Sequence, residues 1–188
     1  ARYPFSSYPR SWYQVATSKQ IRRGAVTTLQ YFGKELVCYR GEDGAVRLFD
    51  AHCPHLGAHL GVGGKIEGND LVCPFHAWKF GPDGACKEIP YCDRIPKRAQ
   101  LLGYPVQEQA GLVFAYYSDD RRAPEFELPS FPEFGDSQWS RPAELRYEIR
   151  SHVQEMAENA LDTGHFPGVH DLAAVPTVER LSVERAEL

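Results

Sequence analysis

Two short segments, Cys53-Pro-His55 and Cys73-Pro-Phe-His76, constrain the fold more than any other feature of this sequence. Each segment places one cysteine and one histidine on a turn, and residues 56–72 separate the two segments. The intervening stretch is rich in glycine, so that its backbone can closely approach a bulky inorganic group. The fold must therefore bring two Cys/His turns together around a shared centre.

The mixed ligand set of these turns favours a [2Fe–2S] centre, in which two thiolates hold one iron and two imidazoles hold the other. Imidazole ligands raise the reduction potential of such centres to about −150 to +300 mV. A structural zinc ion also takes Cys2His2 ligands, but its usual spacing has two cysteines close together, followed by two histidines. Zinc and unrelated buried cysteines remain alternatives. A Cys53–Cys73 disulfide would leave the adjoining histidines unexplained.

The other cysteines and the neighbouring histidines fit ordinary roles. We expect Cys38, Cys86 and Cys92 to be small core residues. His52 and His59 do not fit the symmetry of the two turns and are interpreted as ordinary loop residues. Five cysteines, an odd count without the density of a secreted scaffold, favour a reducing compartment, and we therefore predict a cytoplasmic location.

Residues 12–117 read as short strands separated by turns, with β-rich runs at 24–33, 35–40, 45–49, 85–89 and 111–117. An Asp43-Gly44 signal predicts a hairpin, and Gly81-Pro-Asp-Gly84 predicts a second turn. This regular pattern favours a small antiparallel sandwich or barrel. Four prolines between Asp119 and Pro142 indicate an extended connection. We therefore predict two domains, residues 1–140 and 141–188.

The pattern beyond Pro142 changes to that of an amphipathic helix, which Pro167-Gly168 should end. At about 100° per residue, polar residues share one helix face. These residues are Glu155, Glu158, Asn159, Asp162 and His165. We interpret Glu155 and Glu158 as surface charges.

A histidine pair stands at the end of this predicted helix. On a straight helix His170 would point about 140° away from His165, but the break at Pro167-Gly168 allows the chain to turn back. Two imidazoles placed in this way can occupy neighbouring positions on an iron, as in sites with two histidines and one carboxylate. Taken alone, solvated helix-end side chains remain the alternative.

Both signals resemble those of one family. Cys53-Pro-His55-Leu-Gly57 with Cys73-Pro-Phe-His76-Ala-Trp78-Lys-Phe80 resembles the Rieske motif of Rieske non-haem iron oxygenases. Respiratory Rieske proteins carry an extra cysteine in each loop and join them by a disulfide, whereas Ala58 and Phe75 stand at those positions here. The spacing from Asn159 to His170 is similar to the mononuclear-iron motif of the α subunits. Residues 57–64 and 86–91 resemble the sterol and 3-ketosteroid hydroxylases and the cholesterol desaturases.

The resemblance implies a fold: a mainly β Rieske domain of small antiparallel sheets with a [2Fe–2S]-binding subdomain, followed by the start of an α+β helix-grip catalytic domain. It also implies roles for individual residues. Cys53, His55, Cys73 and His76 would bind the cluster, and His165 and His170 would bind Fe(II). Asp162 would bridge His76 of the partner subunit to His165, and Asn159 would lie near the iron. The third iron ligand would lie beyond residue 188, so we expect this stretch alone to be inactive.

The resemblance further implies a terminal oxygenase component. Electrons would come from NAD(P)H through a separate ferredoxin or flavin reductase, and O2 would be activated to hydroxylate or desaturate a hydrophobic, sterol-like or aromatic substrate. The family suggests a homotrimer. A stand-alone Rieske ferredoxin and a zinc-stabilised binding domain are the alternatives, but the residues after 117 count against a ferredoxin.

Charge and hydropathy exclude other classes of partner. The net charge is −4, and the arginine pairs at 22–23 and 121–122 are isolated, so we expect no nucleic-acid partner. The longest apolar run, Ala110 to Tyr117, is far below the roughly 20 residues that cross a bilayer, and we expect no membrane span. The first residues, Ala1-Arg2-Tyr3-Pro4, carry no charged-then-apolar pattern, so we expect no export signal to be encoded in the sequence shown.

Overall fold

The computed structural model describes residues 8–140 and 143–177. They fall into two compact units, described separately: residues 9–140 contain the described strands, and residues 143–177 contain the described helices. The boundary predicted between residues 140 and 141 adjoins undescribed residues and stays a prediction.

The strands of the first unit pair antiparallel in three small sheets, with strand orders β1-β11-β10, β2-β3-β4-β9 and β5-β6-β7-β8. This architecture confirms the mainly β fold. The strands are β1 (Ser11–Thr17), β2 (Val26–Tyr31), β3 (Lys34–Arg40), β4 (Val46–Asp50), β5 (Lys65–Glu67), β6 (Asp70–Val72), β7 (Lys79–Phe80), β8 (Cys86–Glu88), β9 (Gly103–Tyr104), β10 (Val106–Gln109) and β11 (Leu112–Tyr117).

Two turns with the same pattern, Gly41-Glu-Asp-Gly44 and Gly81-Pro-Asp-Gly84, join β3 to β4 and β7 to β8. In each turn the aspartate Oδ1 accepts a hydrogen bond of 3.0 Å from the N–H of the following alanine. The last glycine of each turn has a φ of 84° or 80°, a conformation that glycine adopts without strain. Both turn predictions are confirmed.

The sheet β5–β8 is inserted between β4 and β9 and carries the two Cys/His segments at its ends. Buried apolar side chains from this sheet and from β3 and β4 form one continuous core. The core includes Val37, Tyr39, Phe49, Leu60, Leu71, Trp78, Phe80, Ile89 and Leu101, and it also contains both cysteines of the segments. The two Cys/His turns therefore rest on a packed support.

An ion pair connects the four-stranded sheet of β2, β3, β4 and β9 with the three-stranded sheet. Arg40 at the end of β3 donates two parallel hydrogen bonds to Glu108 of β10, at 2.7 and 2.8 Å. The same guanidinium donates to the carbonyls of Ile21 and Gly44. This bidentate geometry is the strong form of a protein ion pair, and it joins three separate segments.

The segment after β11 contains no strand or helix within its described residues, 118–140. It packs back on the three-stranded sheet, where Trp12 Nε1 donates to the carbonyl of Phe126 at 2.9 Å and Gln109 Nε2 donates to that of Pro129 at 2.5 Å. The described part of this connection is irregular and contains turns, and its role as an extended link between domains stays a prediction.

The second unit contains a helix α1 (Val153–Leu161), a 3-10 turn at Thr163–His165, and a short helix α2 (Phe166–His170). The prediction that one helix runs to Pro167-Gly168 is wrong, because α1 ends at Asp162, whose backbone is extended and whose Oδ1 accepts from the N–H of Gly164. Pro167 stands in the first turn of α2, where a missing N–H costs no hydrogen bond.

Helix α1 buries none of its residues among the described part of the chain. Its apolar residues Val153, Met156 and Leu161 are all about half exposed. Because an isolated helix of this length is marginal in water, its stability depends on covering that face. Within the described residues, no helix combines the length and the hydropathy that crossing a bilayer requires.

Candidate metal centres

The loops that begin at Cys53 and Cys73 share one backbone structure. In each loop the cysteine N–H donates to the carbonyl five residues later, and the cysteine carbonyl accepts from the N–H four residues later, at 2.9 to 3.1 Å. The donor–acceptor pairs are Cys53–Ala58, Gly57–Cys53, Cys73–Trp78 and Ala77–Cys73. The repeated geometry presents the two Cys/His pairs in equivalent ways.

The residue four positions after each cysteine has a left-handed backbone. Gly57 has a φ of 74° and Ala77 has a φ of 55°. Glycine tolerates this conformation, whereas an alanine is strained in it by about 1–2 kcal/mol. Because both loops contain the same unusual turn, the turn itself determines where each cysteine and histidine lies.

Both cysteine side chains are buried in the core, and each residue is 3% exposed. Burial raises the pKa of the Cys53 thiol to about 12, and the neighbouring Cys73 sulfur raises it further, against the opposing hydrogen bond from the His55 backbone. Two adjacent buried sulfurs become thiolates only when a cation compensates their charge. The chemistry of the cysteine pair is compatible with a metal centre, and the assignment of these two residues as ligands stays a prediction.

The two histidines lie side by side at the exposed end of the loops. The ring centroids of His55 and His76 are 4.7 Å apart, and the rings meet at 65°. Trp78 stacks on His55 with centroids 4.5 Å apart, and its Nε1 donates to Tyr91 Oη at 2.7 Å. Sequence reasoning assigned no role to Trp78 or Tyr91. A sequence signal for a role of Trp78 was its position as an aromatic residue two places after His76.

The distances among the four donor atoms bear on the choice between a zinc ion and a [2Fe–2S] cluster. In tetrahedral zinc sites the ligand atoms lie about 3.3–3.8 Å apart, given metal–ligand bonds of about 2.0–2.3 Å. No three of the ligand atoms of Cys53, His55, Cys73 and His76, all of them described residues, lie within 4.8 Å of one another. A [2Fe–2S] cluster instead places the sulfur pair and the nitrogen pair on different irons, so it does not require all four donor atoms to surround one ion.

The remaining cysteines are partly as predicted. Cys38 and Cys86 are buried, as expected of small core residues, and burial raises the pKa of each thiol. The prediction for Cys92 is wrong: this residue is exposed in the segment after β8, with its sulfur 3.4 Å from the Arg94 carbonyl. A lone cysteine after a proline-containing turn carries no periodicity that would reveal its exposure.

The described cysteines are all free thiols. Alanine and phenylalanine at positions 58 and 75 leave no partner for the inter-loop disulfide of respiratory Rieske proteins. Phe75 is 63% exposed at the tip of the second loop, next to His76.

Glu35, His52 and His59 form a separate polar group near the first loop. His59 Nε2 lies 3.5 Å from a Glu35 oxygen, and His52 Nε2 lies 3.9 Å from the same oxygen. His59 Nδ1 accepts a hydrogen bond from the Gly61 N–H, which places the proton of the neutral ring on Nε2, facing Glu35. The interpretation of both histidines as loop residues stays a prediction.

The second unit brings its two predicted iron ligands together. The rings of His165 and His170 have centroids 5.3 Å apart, and the short helix α2 follows His165 directly and ends at His170. Asp162 Oδ2 lies 3.5 Å from His165 Nδ1. Both ring nitrogens of His165 are buried and have no hydrogen-bond partner among the described residues, and such an imidazole fits a metal ligand.

The other predicted residues of this region lie on the surface of α1. Asn159 is exposed within the described residues, and the structure does not test its predicted place near an iron. Glu158 is exposed, as expected of a surface charge, and accepts a hydrogen bond of 2.9 Å from Gln154. Glu155 is partly buried.

The sequence matches two protein families. Residues 11–105, about half of the chain, match the Rieske [2Fe-2S] domain. The chain therefore belongs to the Rieske [2Fe–2S] domain family. Residues 115–185 match the 3-ketosteroid 9alpha-hydroxylase C-terminal domain. The predicted resemblance to Rieske oxygenases of the sterol group is confirmed.

Two curated relatives match most of this chain. The chain is 37% identical over 163 residues to a cholesterol 7-desaturase of Bombyx mori, and the match covers 87% of this chain and 36% of the relative. It is 35% identical over 170 residues to a probable 3-ketosteroid-9-alpha-monooxygenase, oxygenase component, of Rhodococcus rhodochrous, covering 89% and 42%. The chain thus spans little more than a third of the length of the desaturase.

Solved structures of terminal oxygenases share the fold. Apo dicamba monooxygenase superposes with a TM-score of 0.63 at 25% identity, over 70% of this chain and 41% of that protein. The oxygenase in a reduced complex with ferredoxin, from carbazole 1,9a-dioxygenase, gives a TM-score of 0.55 at 32% identity, over 62% and 31%. These comparisons agree with a cluster-binding domain and, for dicamba monooxygenase, with a non-haem iron.

Proposed function

We propose that this chain is part of a terminal oxygenase that uses electrons and O2 to hydroxylate or desaturate a sterol-like substrate. One observation carries the proposal: a Cys/His loop pair suited to [2Fe–2S] and a His165–His170 pair suited to Fe(II) occur in the same chain. A stand-alone ferredoxin needs only the first of these. The sterol-like substrate is inferred from the two relatives, a desaturase of cholesterol and a hydroxylase component for ketosteroids.

The residues of the first site hold and shield the redox group. Cys53 and Cys73 supply thiolates from inside the core, and His55 and His76 supply imidazoles at the exposed end. When bound, a [2Fe–2S] cluster supplies one-electron transfer at a potential above that of all-cysteine ferredoxin clusters. The buried cysteine side of the site excludes water, and the partly buried histidines lie on the side from which electrons would arrive and leave.

The residues of the second site would hold Fe(II) and position its ligands. His165 and His170 present two imidazoles, and Asp162, whose Oδ2 lies 3.5 Å from His165 Nδ1, would orient that ring when the metal is bound. When bound, Fe(II) supplies the chemistry of O2 activation that protein side chains lack. The proposal keeps Asn159 near this iron, places the third, carboxylate ligand beyond residue 188, and predicts that residues 1–188 alone do not turn over substrate.

The proposal includes partners of the whole protein. A separate ferredoxin or flavin reductase would deliver electrons from NAD(P)H, in agreement with a relative named as an oxygenase component and a neighbour solved with its ferredoxin. We propose a homotrimer in which Asp162 bridges His76 of the partner subunit to His165, and a cytoplasmic location, which the free thiols support.

The test is a metal and turnover analysis of the full-length protein, purified without air. The proposal predicts iron in excess of acid-labile sulfide, and oxidation of cholesterol or a 3-ketosteroid that requires a reductase and O2. His165→Ala should lower the iron content to match the sulfide and abolish turnover, with an unchanged cluster spectrum. Equal iron and sulfide in the unmodified protein would instead identify an electron carrier.

A further inference from the structure

We propose that Glu35, His52 and His59 form a further metal site, which binds one zinc ion through a carboxylate and two imidazoles. The three residues lie outside both candidate metal centres described above, and all belong to one chain. The inference therefore depends neither on the proposed function nor on a partner subunit. It replaces the interpretation of the two histidines as ordinary loop residues with a shared role.

The three side chains bring their donor atoms into one small volume. One ligand atom from each residue lies within 4.8 Å of the other two. Glu35 Oε2 is 3.5 Å from His59 Nε2 and 3.9 Å from His52 Nε2. Two donors that share a tetrahedral zinc ion, with bonds of about 2.0–2.2 Å, lie about 3.3–3.6 Å apart. The observed spacing is close to the one that a shared ion requires.

Hydrogen bonding between the side chains does not account for this spacing. N–H···O bonds in proteins measure about 2.7–3.2 Å, and both contacts to Glu35 are longer. The rings of His52 and His59 also meet edge to face, with centroids 5.1 Å apart and an angle of 86°. An ion between the three donors accounts for a separation that is too wide for direct hydrogen bonds.

Backbone hydrogen bonds hold the three residues together. The Ala51 N–H donates to the Glu35 carbonyl at 3.1 Å, and the Leu60 N–H donates to the Ala51 carbonyl at 2.7 Å. An antiparallel bridge joins His52 to His59. The start of β3, the end of β4 and the turn after the first Cys/His loop therefore meet at this point, and each supplies one donor.

Two of the side chains are also fixed in orientation. Gln30 Nε2 donates to Glu35 Oε1 at 3.1 Å, and the other oxygen, Oε2, faces the histidines. The His59 ring packs on the bare backbone of Gly61, where a Cβ would lie 2.9 Å from Cε1 of the ring. Contacts that orient the ligands in this way strengthen metal binding.

The donor set selects zinc over the hard cations. Zinc takes imidazole nitrogen and carboxylate oxygen in a tetrahedral arrangement, whereas Mg²⁺ and Ca²⁺ require six or more oxygen donors. The side chains of His52 and Glu35 are 53% and 42% exposed, so that water can complete the coordination. Lys34, next to Glu35 in the chain, pairs with Asp50 at 3.4 Å and does not compete for the Glu35 carboxylate.

Zinc would take the position of a proton on His59. His59 Nδ1 accepts a hydrogen bond of 3.1 Å from the Gly61 N–H, and the neutral ring carries its proton on Nε2. When zinc binds Nε2, this proton moves to Nδ1 and the hydrogen bond from Gly61 breaks, with no net release of a proton from the ring. Loss of one hydrogen bond lowers the affinity by up to about tenfold. We therefore expect weaker binding than in a closed site with four protein ligands.

The experiment is a calorimetric titration of the full-length holoprotein with zinc chloride, with the cluster and the iron in place so that their ligands are occupied. We expect one zinc ion to bind per chain and no binding of magnesium chloride. Glu35→Gln, His52→Gln and His59→Gln should each weaken zinc binding by at least about tenfold, because loss of even an outer partner of a metal ligand costs about 10–100-fold. Glu35→Gln and His52→Gln replace exposed side chains and so keep the test independent of folding.

The matched control is His152→Asn, which removes a histidine outside the site. His152 Nδ1 accepts a hydrogen bond of 3.2 Å from the Gln154 N–H at the start of α1, and asparagine also caps helices well. This variant should keep the unmodified zinc affinity to within about twofold. Anomalous diffraction above the zinc edge, from crystals soaked in zinc, should show a peak between Glu35, His52 and His59.

Three results would overturn the inference: no saturable zinc binding by the unmodified protein, equal affinities of His52→Gln and His152→Asn, or release of one iron for each zinc bound. The last result would place the zinc at the His165–His170 pair. Protein that carries neither cluster nor iron from the outset would refute the proposed function instead, and the difference between Glu35→Gln and His152→Asn would still decide whether this zinc site exists.

Discussion

The indole of Trp78 lies parallel to the imidazole of His55, with ring centroids 4.5 Å apart and an interplanar angle of 9°. Trp78 is 6% exposed and its Nε1 is held by Tyr91. One face of a cluster ligand is therefore covered by a fixed aromatic wall, which keeps water from that side of the site.

Removal of this wall should raise the reduction potential. Reduction adds a negative charge to the centre, and water that enters beside His55 would stabilise the reduced state. For Trp78→Ala we expect a more positive midpoint potential in a spectroelectrochemical titration and a loss of about 3–5 kcal/mol in stability. Tyr91→Phe is the control, because it keeps the indole and removes only its hydrogen bond; a smaller shift is expected. An unchanged or lowered potential in Trp78→Ala would argue against the shielding role.

Exchanging alanine and glycine at the two left-handed positions of the cluster loops, Ala77 and Gly57, should change the stability of the protein in opposite directions. Ala77→Gly relieves strain and should stabilise the protein by up to about 1 kcal/mol. Gly57→Ala should destabilise it by about 1 kcal/mol, and by strain alone, because a Cβ at this position would meet no atom within 4 Å. Chemical denaturation of both variants checks the pair. Destabilisation by Ala77→Gly would mean that the loops do not share the turn described above.

The Arg40–Glu108 pair should make the free energy of unfolding depend on pH. The hydrogen bond from Arg40 lowers the pKa of Glu108, against the opposing effect of burial. Since the folded-state pKa lies below the unfolded one, the stabilisation is present above the unfolded-state pKa and is lost as the pH falls through the folded-state pKa. Glu108→Gln should cost about 1–2 kcal/mol at neutral pH and reduce the acid-dependent loss of stability.

Denaturant titrations between pH 7 and the acid range test that pair. The control is Glu67→Gln, which disrupts the exposed pair with Lys79 and should cost less than about 1 kcal/mol. Equal costs for Glu108→Gln and Glu67→Gln at neutral pH would show that the bidentate geometry adds nothing.

The sequence predicted β2, β3, β4, β8, β11 and the two Gly-x-Asp-Gly turns, because these depend on local chemistry: runs of β-formers and left-handed glycines. It also pointed to four candidate donors in the first site, because a cysteine stands close to a histidine in each segment. It also predicted that His165 and His170 meet. It did not predict how they meet. We expected the helix to end at Pro167, but α1 ends before Asp162. A proline is compatible both with the end of one helix and with the first turn of the next, so its position alone does not distinguish the two.

Other features could not be predicted from the sequence because they depend on long-range packing. Both the exposure of Cys92 and the contact between Trp78 and Tyr91 depend on how the segment after β8 closes at Ala99. No periodicity in the sequence indicates where such a segment closes.

Asp162→Asn should slow electron transfer between the two metal sites of the full-length protein. The variant retains an oxygen for the Gly164 N–H and so preserves the turn, but it removes the charge beside His165. In single-turnover reoxidation by O2 with substrate bound, we expect slower loss of the reduced-cluster signal with an unchanged cluster spectrum. Reoxidation at the unmodified rate would contradict the proposed bridge through Asp162.

The central claim is that Cys53, His55, Cys73 and His76 jointly hold one [2Fe–2S] cluster. Electron–nuclear double resonance of the dithionite-reduced protein tests it most directly, because it detects nitrogen nuclei bound to iron. The account predicts nitrogen couplings from both His55 and His76, loss of the cluster signal in His76→Ala, and an unchanged spectrum in His59→Ala. A reduced cluster without nitrogen couplings, or a colourless protein without acid-labile sulfide, would contradict it.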